Sequence, residues 1–275
     1  MQSTEDIVAR HYQSDGIYDR IWSALAAEGI DKTSLTMDHL KGVDEFHIGG
    51  RTATRHLLDP LDIGAHHNVL DVGCGIGGPA RFIAKAYGAK VVGIDLTYDY
   101  VDTAKCLTAD LGMDVIFVQG SATALPFEAN QFDLVTLLHV GMNVADKELL
   151  FRQVARVLKS SGVFAIYDIM QHKAHPKMPL PWAGTLDGSF VDTPDVYRQA
   201  GKDAGFVLVR EEGRGSAALA SFAAQKKAAQ EGRAPTIGLS LLLGSGVAEK
   251  FANLVTALHS GDVEPIEMIF RSSLQ

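Results

Sequence analysis

An α/β fold built on a mostly parallel sheet is what this chain predicts, and three observations lead there. Short apolar runs at residues 68–73, 90–95, 114–118, 132–138 and 162–169 alternate with helical patterns at 77–88, 98–111 and 146–158. Strands separated by helical runs form parallel sheets through crossover connections. The first run opens directly into glycines at alternate positions, Gly73, Gly75 and Gly77. The second run ends in an acid, Asp95, 20 residues after Gly75. Strand, glycine turn, helix, and an acid closing the next strand describe a ligand site at the carboxyl ends of the strands.

The remaining elements follow in order. Residues 4–29 read as a helix capped by Ser3 or Thr4, with Glu5 and Asp6 in its first turn and Gly29 at its end. Gly16 is a point where it can split in two. Residues 35–50 are shorter and irregular, and Thr52 to Leu61 forms a further helix. Past Met170, prolines at 176, 179 and 181 mark a loop. Thr193-Pro194 starts a helix to about Ala204, Phe206 to Arg210 forms a strand, and Val263 to Phe270 forms the last one. Between these two strands, residues 214–259 are helical, with breaks expected at 232–235 and 244–246.

The glycine turn carries a chemical preference. It reads Asp71-x-Gly73-x-Gly75-x-Gly77, with an acid just before the turn. A carboxylate there repels a pyrophosphate and accepts hydrogen bonds from an amine. At the end of the second strand, Asp95 suits a ribose diol, because one carboxylate accepts from both hydroxyls.

With these motifs the chain resembles the class I S-adenosylmethionine-dependent methyltransferases, over roughly residues 66 to 170. The resemblance also rests on Gln119 to Phe127, Phe132-Asp133-Leu134-Val135 and Val157 to Gly162. It implies a Rossmann-like, seven-stranded, mostly parallel sheet with helices on both faces and the last strand antiparallel. Residues 1–60 become an N-terminal helical lid. Residues 61–275 become the methyltransferase domain, with insertions at 171–192 and 214–259. The implied cofactor is S-adenosyl-L-methionine, with S-adenosyl-L-homocysteine as product. By position, Gly73, Cys74 and Gly75 lie under the methionine part, Gly77 completes the cofactor-binding turn, and Asp71 orients the methionine amino group. Asp95 takes the ribose, Leu96 flanks the adenine, and Ser121 and Ala122 meet the adenine edge. Many relatives carry an acid where Ser121 stands, so a weaker acceptor occupies that place.

His139, ending the fourth strand, lies at the mouth of the implied cofactor site, as a base or as a main-chain contact to the methionine carboxylate. Phe46-His47-Ile48-Gly49-Gly50 resembles a segment of the glycine, sarcosine and dimethylglycine N-methyltransferases and makes His47 a second catalytic candidate. Tyr12, Tyr18, Trp22, Phe46 and Trp182 are candidates for a cationic substrate or sulfonium, which aromatic faces attract. Arg51 is a candidate for a substrate carboxylate, and Asn143 for the same cleft. The expected reaction is methyl transfer to a small molecule by in-line displacement, with a small amine or amino acid nitrogen favoured. A quinone, phenol or natural-product ring, methylated on carbon or oxygen as in the ubiquinone and menaquinone type, is the alternative. A small polar acceptor calls for an acidic or Arg-lined pocket and a prenylated ring for a wide apolar one, and the apolar stretch Ile237 to Leu243 keeps the second open.

Bulk properties narrow the classes further. The 275 residues carry a net charge of −8, with 47% hydrophobic and 21% charged residues. An acidic chain without a Lys/Arg cluster is a poor nucleic-acid binder. No run of 18 apolar residues marks a membrane span, and the first residues lack a signal-peptide pattern. A cytoplasmic monomer or homodimer is expected. Cys74 and Cys106 give no disulfide framework. The ten histidines offer no helical i, i+4 pair beside an acid, so no metal site is expected.

Overall fold

A computed structural model describes residues 3–233, 236–244 and 246–273. Seven strands form one sheet: β1 (Asn68–Val72), β2 (Lys90–Asp95), β3 (Ile116–Gln119), β4 (Phe132–Leu138), β5 (Leu158–Gln171), β6 (Phe206–Gly213) and β7 (Val263–Ser272). Their spatial order is β3-β2-β1-β4-β5-β7-β6. β1 to β5 pair in parallel, and β7 runs antiparallel between β5 and β6. The strand order reverses between β1 and β4, which opens a crevice above their carboxyl ends.

Four helices precede the sheet: α1 (Thr4–Tyr12), α2 (Ile17–Ala27), α3 (Met37–Asp44) and α4 (Gly50–Leu58). Crossovers are made by α5 (Gly78–Tyr87), α6 (Tyr98–Asp110) and α7 (Lys147–Val157), and α8 (Pro194–Asp203) leads into β6. Between β6 and β7 stand α9 (Gly215–Gln230), α10 (Ser240–Leu243) and α11 (Val247–Ser260). Val69 and Leu70 are adjacent in β1 and both fully buried, so the strand is covered on both faces. Leu70 and Val135 pack with Phe151 of α7 on one side. Val69 and Leu134 pack with Phe82 of α5 and Leu57 of α4 on the other.

The elements differ from the sequence expectation at a few ends. The helix over 4–29 splits, because Gly16 takes a left-handed φ of 68° and starts α2 afresh. Its first half begins as predicted. Ser3 Oγ accepts from Asp6 N at 3.1 Å while Asp6 Oδ2 accepts from Ser3 N at 3.2 Å, a capping box. β3 starts at Ile116, and β5 starts at Leu158, which already pairs with Phe132. Residues 37–44, read as irregular, form α3. The breaks expected at 232–235 and 244–246 fall partly on Ala234, Pro235 and Ser245, outside the described residues.

The segment holding α9 to α11 leaves and rejoins the sheet at one point. Gly213 still pairs with Ile266, and the Arg214 N–H donates to the Pro265 carbonyl at 2.7 Å.

Candidate functional site

The turn after β1 is built for close approach. Gly73 and Cys74 both donate their N–H to the Ile94 carbonyl, at 2.7 and 3.0 Å, which ties the turn to β2. Gly73 has a φ of 71°, and a Cβ there would come within 2.2 Å of Val140 Cγ2. Gly75 has a φ of 55°, and a Cβ built on it meets nothing within 4 Å. The first glycine is needed for packing and the second faces open space. Gly77 does not line the cavity; a Cβ on it would strike Phe117 and Arg81, so it serves the turn and the start of α5.

Above the turn lies a cavity of about 1740 Å³. Its floor is acidic. Asp95 accepts from Gly75 N through Oδ2 and from Thr97 N through Oδ1, both at 2.9 Å. Asp71 Oδ1 accepts from Thr136 Oγ1 at 2.7 Å, while its buried Oδ2 has no partner among the described residues. Burial pushes Asp71 up to about 7; the Thr136 bond opposes this, and the charges of Glu45 and Asp95 add to it. Glu45 is buried with neither carboxylate oxygen hydrogen-bonded, and burial raises it to about 7 against the pull of Arg51. Three carboxylates around one cavity make a site for a cation.

Two histidines stand beside these acids. His139 holds a left-handed backbone, φ 55°, that a side-chain-bearing residue adopts at a cost of roughly 1–3 kcal/mol. Its N–H donates to Tyr167 O at 2.7 Å, and its buried Nε2 has no partner among the described residues. Burial holds the imidazole well below its ordinary value, so it is neutral. His47 is also neutral, lowered by burial to about 4. Its Nε2 lies 3.0 Å from Gly50 O, 2.9 Å from Thr54 Oγ1 and 3.7 Å from Glu45 Oε2. The two rings are 6.0 Å apart.

The structure gathers most of the sequence-predicted residues. Asp71, Gly73, Cys74, Gly75, Asp95, Leu96, Ser121, Ala122, His139, His47, Phe46, Asn143 and Trp182 all line the cavity. Arg51 lines it too, but its guanidinium is engaged: NH1 donates to Asp38 Oδ1 at 2.7 Å, NH2 to Met37 O at 2.8 Å. Tyr18 and Trp22 lie elsewhere. The Tyr18 hydroxyl and Trp22 Nε1 both donate to Asp110 Oδ2, at 2.7 and 3.0 Å, and so fasten α2 to α6. Arg81 and Glu5, not assigned to the site on sequence, also shape it, and Tyr12, which was, lines the cavity. Arg81 is fully buried, and its NH2 donates to Asp44 Oδ1 at 2.5 Å and to Ile76 O at 2.9 Å. Glu5 of α1 reaches the loop after β3, where Ser121 Oγ donates to its Oε1 at 2.5 Å. At the other end of α1, Asn143 Nδ2 donates to the Tyr12 hydroxyl at 3.1 Å. The acids Asp44 and Glu45, directly ahead of Phe46-His47, were the available signal for part of this set.

The far wall of the cavity is largely apolar, with Gln225, Lys226 and His259 as its larger polar members. Leu219 and Phe222 of α9, Leu242 of α10, and Phe251, Leu254 and Val255 of α11 face it. Away from the cavity, His56, Glu212 and Glu267 hold ligand-type atoms within 4.8 Å of one another. Arg210 and Arg214 already donate to these carboxylates and to the His56 ring, so a cation there would face two guanidinium groups.

The strand order, the acid-led glycine turn and Asp95 define a class I methyltransferase domain. Residues 70–166 match the family described as a methyltransferase domain. The chain is 31% identical over 159 residues to the sarcosine/dimethylglycine N-methyltransferase of Halorhodospira halochloris, covering 57% of each protein. It is 36% identical over 123 residues to a sterol 24-C-methyltransferase of Gibberella zeae, covering 43% of this chain and 32% of that protein. Among solved structures, the geranyl diphosphate C-methyltransferase of Streptomyces coelicolor A3(2) superposes with a TM-score of 0.71 at 15% identity. That alignment covers 98% of this chain and 97% of the other. Residues 70–166 therefore carry a methyltransferase domain. The matched stretches span from 32 to 57% of the curated relatives' own lengths. Among the described residues, no helix is long and apolar enough to cross a membrane.

Proposed function

We propose that the protein is an S-adenosylmethionine-dependent methyltransferase whose acceptor is a small molecule with a large apolar body. The observation that carries this reading is the two-sided cavity, acidic and glycine-floored at the strand ends and apolar along α9 to α11. The cofactor fits the near side. The unpartnered Oδ2 of Asp71 suits an ammonium group, Gly75 leaves room for a ligand against the backbone, and Asp95 is set to accept from a diol. Ligand pockets commonly hold about 300–1,000 Å³. A cavity of about 1740 Å³ has room for a second molecule beside the cofactor.

When bound, S-adenosylmethionine supplies a methyl group on a positive sulfur; the acceptor's electron pair takes that carbon as the carbon–sulfur bond breaks, leaving neutral S-adenosylhomocysteine. The chain's own work is alignment, water exclusion and proton removal. His139 Nε2, neutral and unpartnered, takes the acceptor's proton. Because His47 is committed to Gly50 and Thr54, it holds the Phe46–Gly50 turn in place and does not act as a second base. Residues 1–60 act as the cofactor lid, and the insertions at 171–192 and 214–259 as the acceptor wall.

The apolar wall favours a prenylated, quinone-like or other natural-product acceptor, methylated on carbon or oxygen, over the small amine favoured on sequence. The amine reading keeps one specific support: Glu45, whose buried carboxylate accepts no hydrogen bond among the described residues and has the Arg51 Nε, 3.5 Å away, as a counter-charge, suits an ammonium-forming acceptor. A panel of isoprenoid diphosphates and alcohols, quinols, phenols, sterols and small amines, offered with isotopically labelled methyl donor and read by mass spectrometry, separates the two. Label confined to small amines would overturn the apolar reading.

A further inference from the structure

We infer that Glu5 is the carboxylate that reads the adenine ring, delivered by α1 to the place where the strand-end loop offers only hydroxyls. This rests on the proposed cofactor reading. Ser121 Oγ and Thr123 Oγ1 both donate to Glu5 Oε1, at 2.5 and 2.9 Å. Ser121 Oγ in turn accepts from the Thr123 N–H at 3.0 Å. The contact joins residues 116 apart in the chain. It is not a surface ion pair, since no cation pairs with Glu5 among the described residues. Oε2 makes no hydrogen bond among the described residues, and Glu5 lines the cavity.

The position selects the ligand atom. Ser121 follows β3, the neighbour of β2, and the Gly120 N–H donates to the Asp95 carbonyl at 2.9 Å. With the ribose held by Asp95 as proposed, the Ser121 loop would be on the side where the base is bound. The 6-amino group of adenine is a donor. A carboxylate accepts such a bond about twice as strongly as a neutral oxygen. The Ser121 hydroxyl spends its proton on Glu5, so the pair presents acceptors only, and a 6-oxo purine would set oxygen against oxygen.

The helix also links the two ends of the site. Glu5 and Tyr12 are seven residues apart on α1, about 10 Å along the axis. Glu5 holds the loop after β3 while Tyr12 holds Asn143, beyond β4. Recognition of adenine and placement of α1 over the cavity are therefore one event.

Calorimetry on the full chain with S-adenosylhomocysteine and its 6-oxo counterpart, S-inosylhomocysteine, tests this. The wild-type chain is expected to bind the inosyl compound at least tenfold more weakly. Glu5→Gln is expected to lose about tenfold for the adenosyl compound and to narrow the ratio to below threefold, because a Gln amide can donate to the 6-oxo group. The ratio is internal to each preparation and does not depend on the folded fraction. Should Glu5→Gln fail to fold, Glu5→Asp, which retains the charge one methylene short, is expected to give an intermediate ratio. Equal wild-type affinity for the two compounds, or an unchanged ratio in the variant, overturns the inference while the cofactor reading stands. Binding of neither compound by the wild-type chain overturns both.

Discussion

Asp95 uses both carboxylate oxygens on backbone N–H groups, one in the glycine turn and one at the start of α6. That fixes its lone pairs before a ligand arrives, and preorganised acceptors lose little on binding. Asp95→Ala is expected to weaken S-adenosylmethionine at least tenfold, about 1.4 kcal/mol; unchanged affinity by calorimetry would remove Asp95 from the ribose. Asp71, Gly75 and Asp95 were legible in the sequence because their placement is local, a strand end and the turn it feeds. Tyr18 and Trp22 were misplaced because an aromatic on a helix gives no sign of which neighbour it meets, and Asp110 of α6 claimed both. Glu5 read as an ordinary first-turn acid of a helix. Its meaning depends on Ser121 and Thr123, which only the folded chain brings to it.

Between elements, Arg81 is a fully buried polar joint, which holds α3 to α5 and to the glycine turn. Its guanidinium meets Asp44 on one side and the Ile76 carbonyl on the other, with Thr108 Oγ1 of α6 accepting at 2.9 Å. Arg81→Met leaves Asp44 buried without its counter-charge. The expected loss is about 3–5 kcal/mol of unfolding free energy in a denaturant titration, and restoring balance with Asp44→Asn in the same chain should recover part of it. The strand and crossover elements were readable from period and composition. The split of the first helix at Gly16 was anticipated, but the formation of α3 was not, because its eight residues include a glycine and two acids on a short amphipathic stripe. What α3 buries, Leu40 and Val43, joins a cluster with Ile21, Ile76 and Tyr100 that tertiary packing alone supplies.

For the molecule as a whole, buried acids and buried imidazoles pull stability in opposite directions with pH. His47, lowered to about 4 from 6.5, and His139, lowered well below it, add stability as pH rises to about 6.5 and nothing beyond. Asp71 and Glu45, raised to about 7 from 3.8 and 4.5, hold protons in the native state that the unfolded chain has released. Their contribution is full at low pH and is lost as pH climbs through 7. Between pH 6.5 and 8 the cofactor-free protein is therefore expected to melt at falling temperature. Over pH 6 to 8 its affinity for S-adenosylmethionine rises about tenfold per carboxylate that must ionise to meet the cation. Scanning calorimetry with and without cofactor reads both trends, and opposite slopes would discard the acid floor as the cation's seat. The strand–helix alternation had already pointed to an α/β chain, and the acidic charge away from nucleic acid. Of the apolar far wall only the stretch Ile237 to Leu243 was legible, since α9 has no strong one-sided pattern and reveals its cavity face only in the folded chain. One feature of the fold bears on descent. The stretch carrying α9 to α11 is stapled at its root, Arg214 to Pro265, so its length and sequence can drift, lengthen or be exchanged while the sheet keeps its register. The donor end of the catalyst is then the inherited part and the acceptor wall the replaceable one. Grafting residues 214–262 from a relative with a different substrate is a compact way to hand this scaffold a new preference.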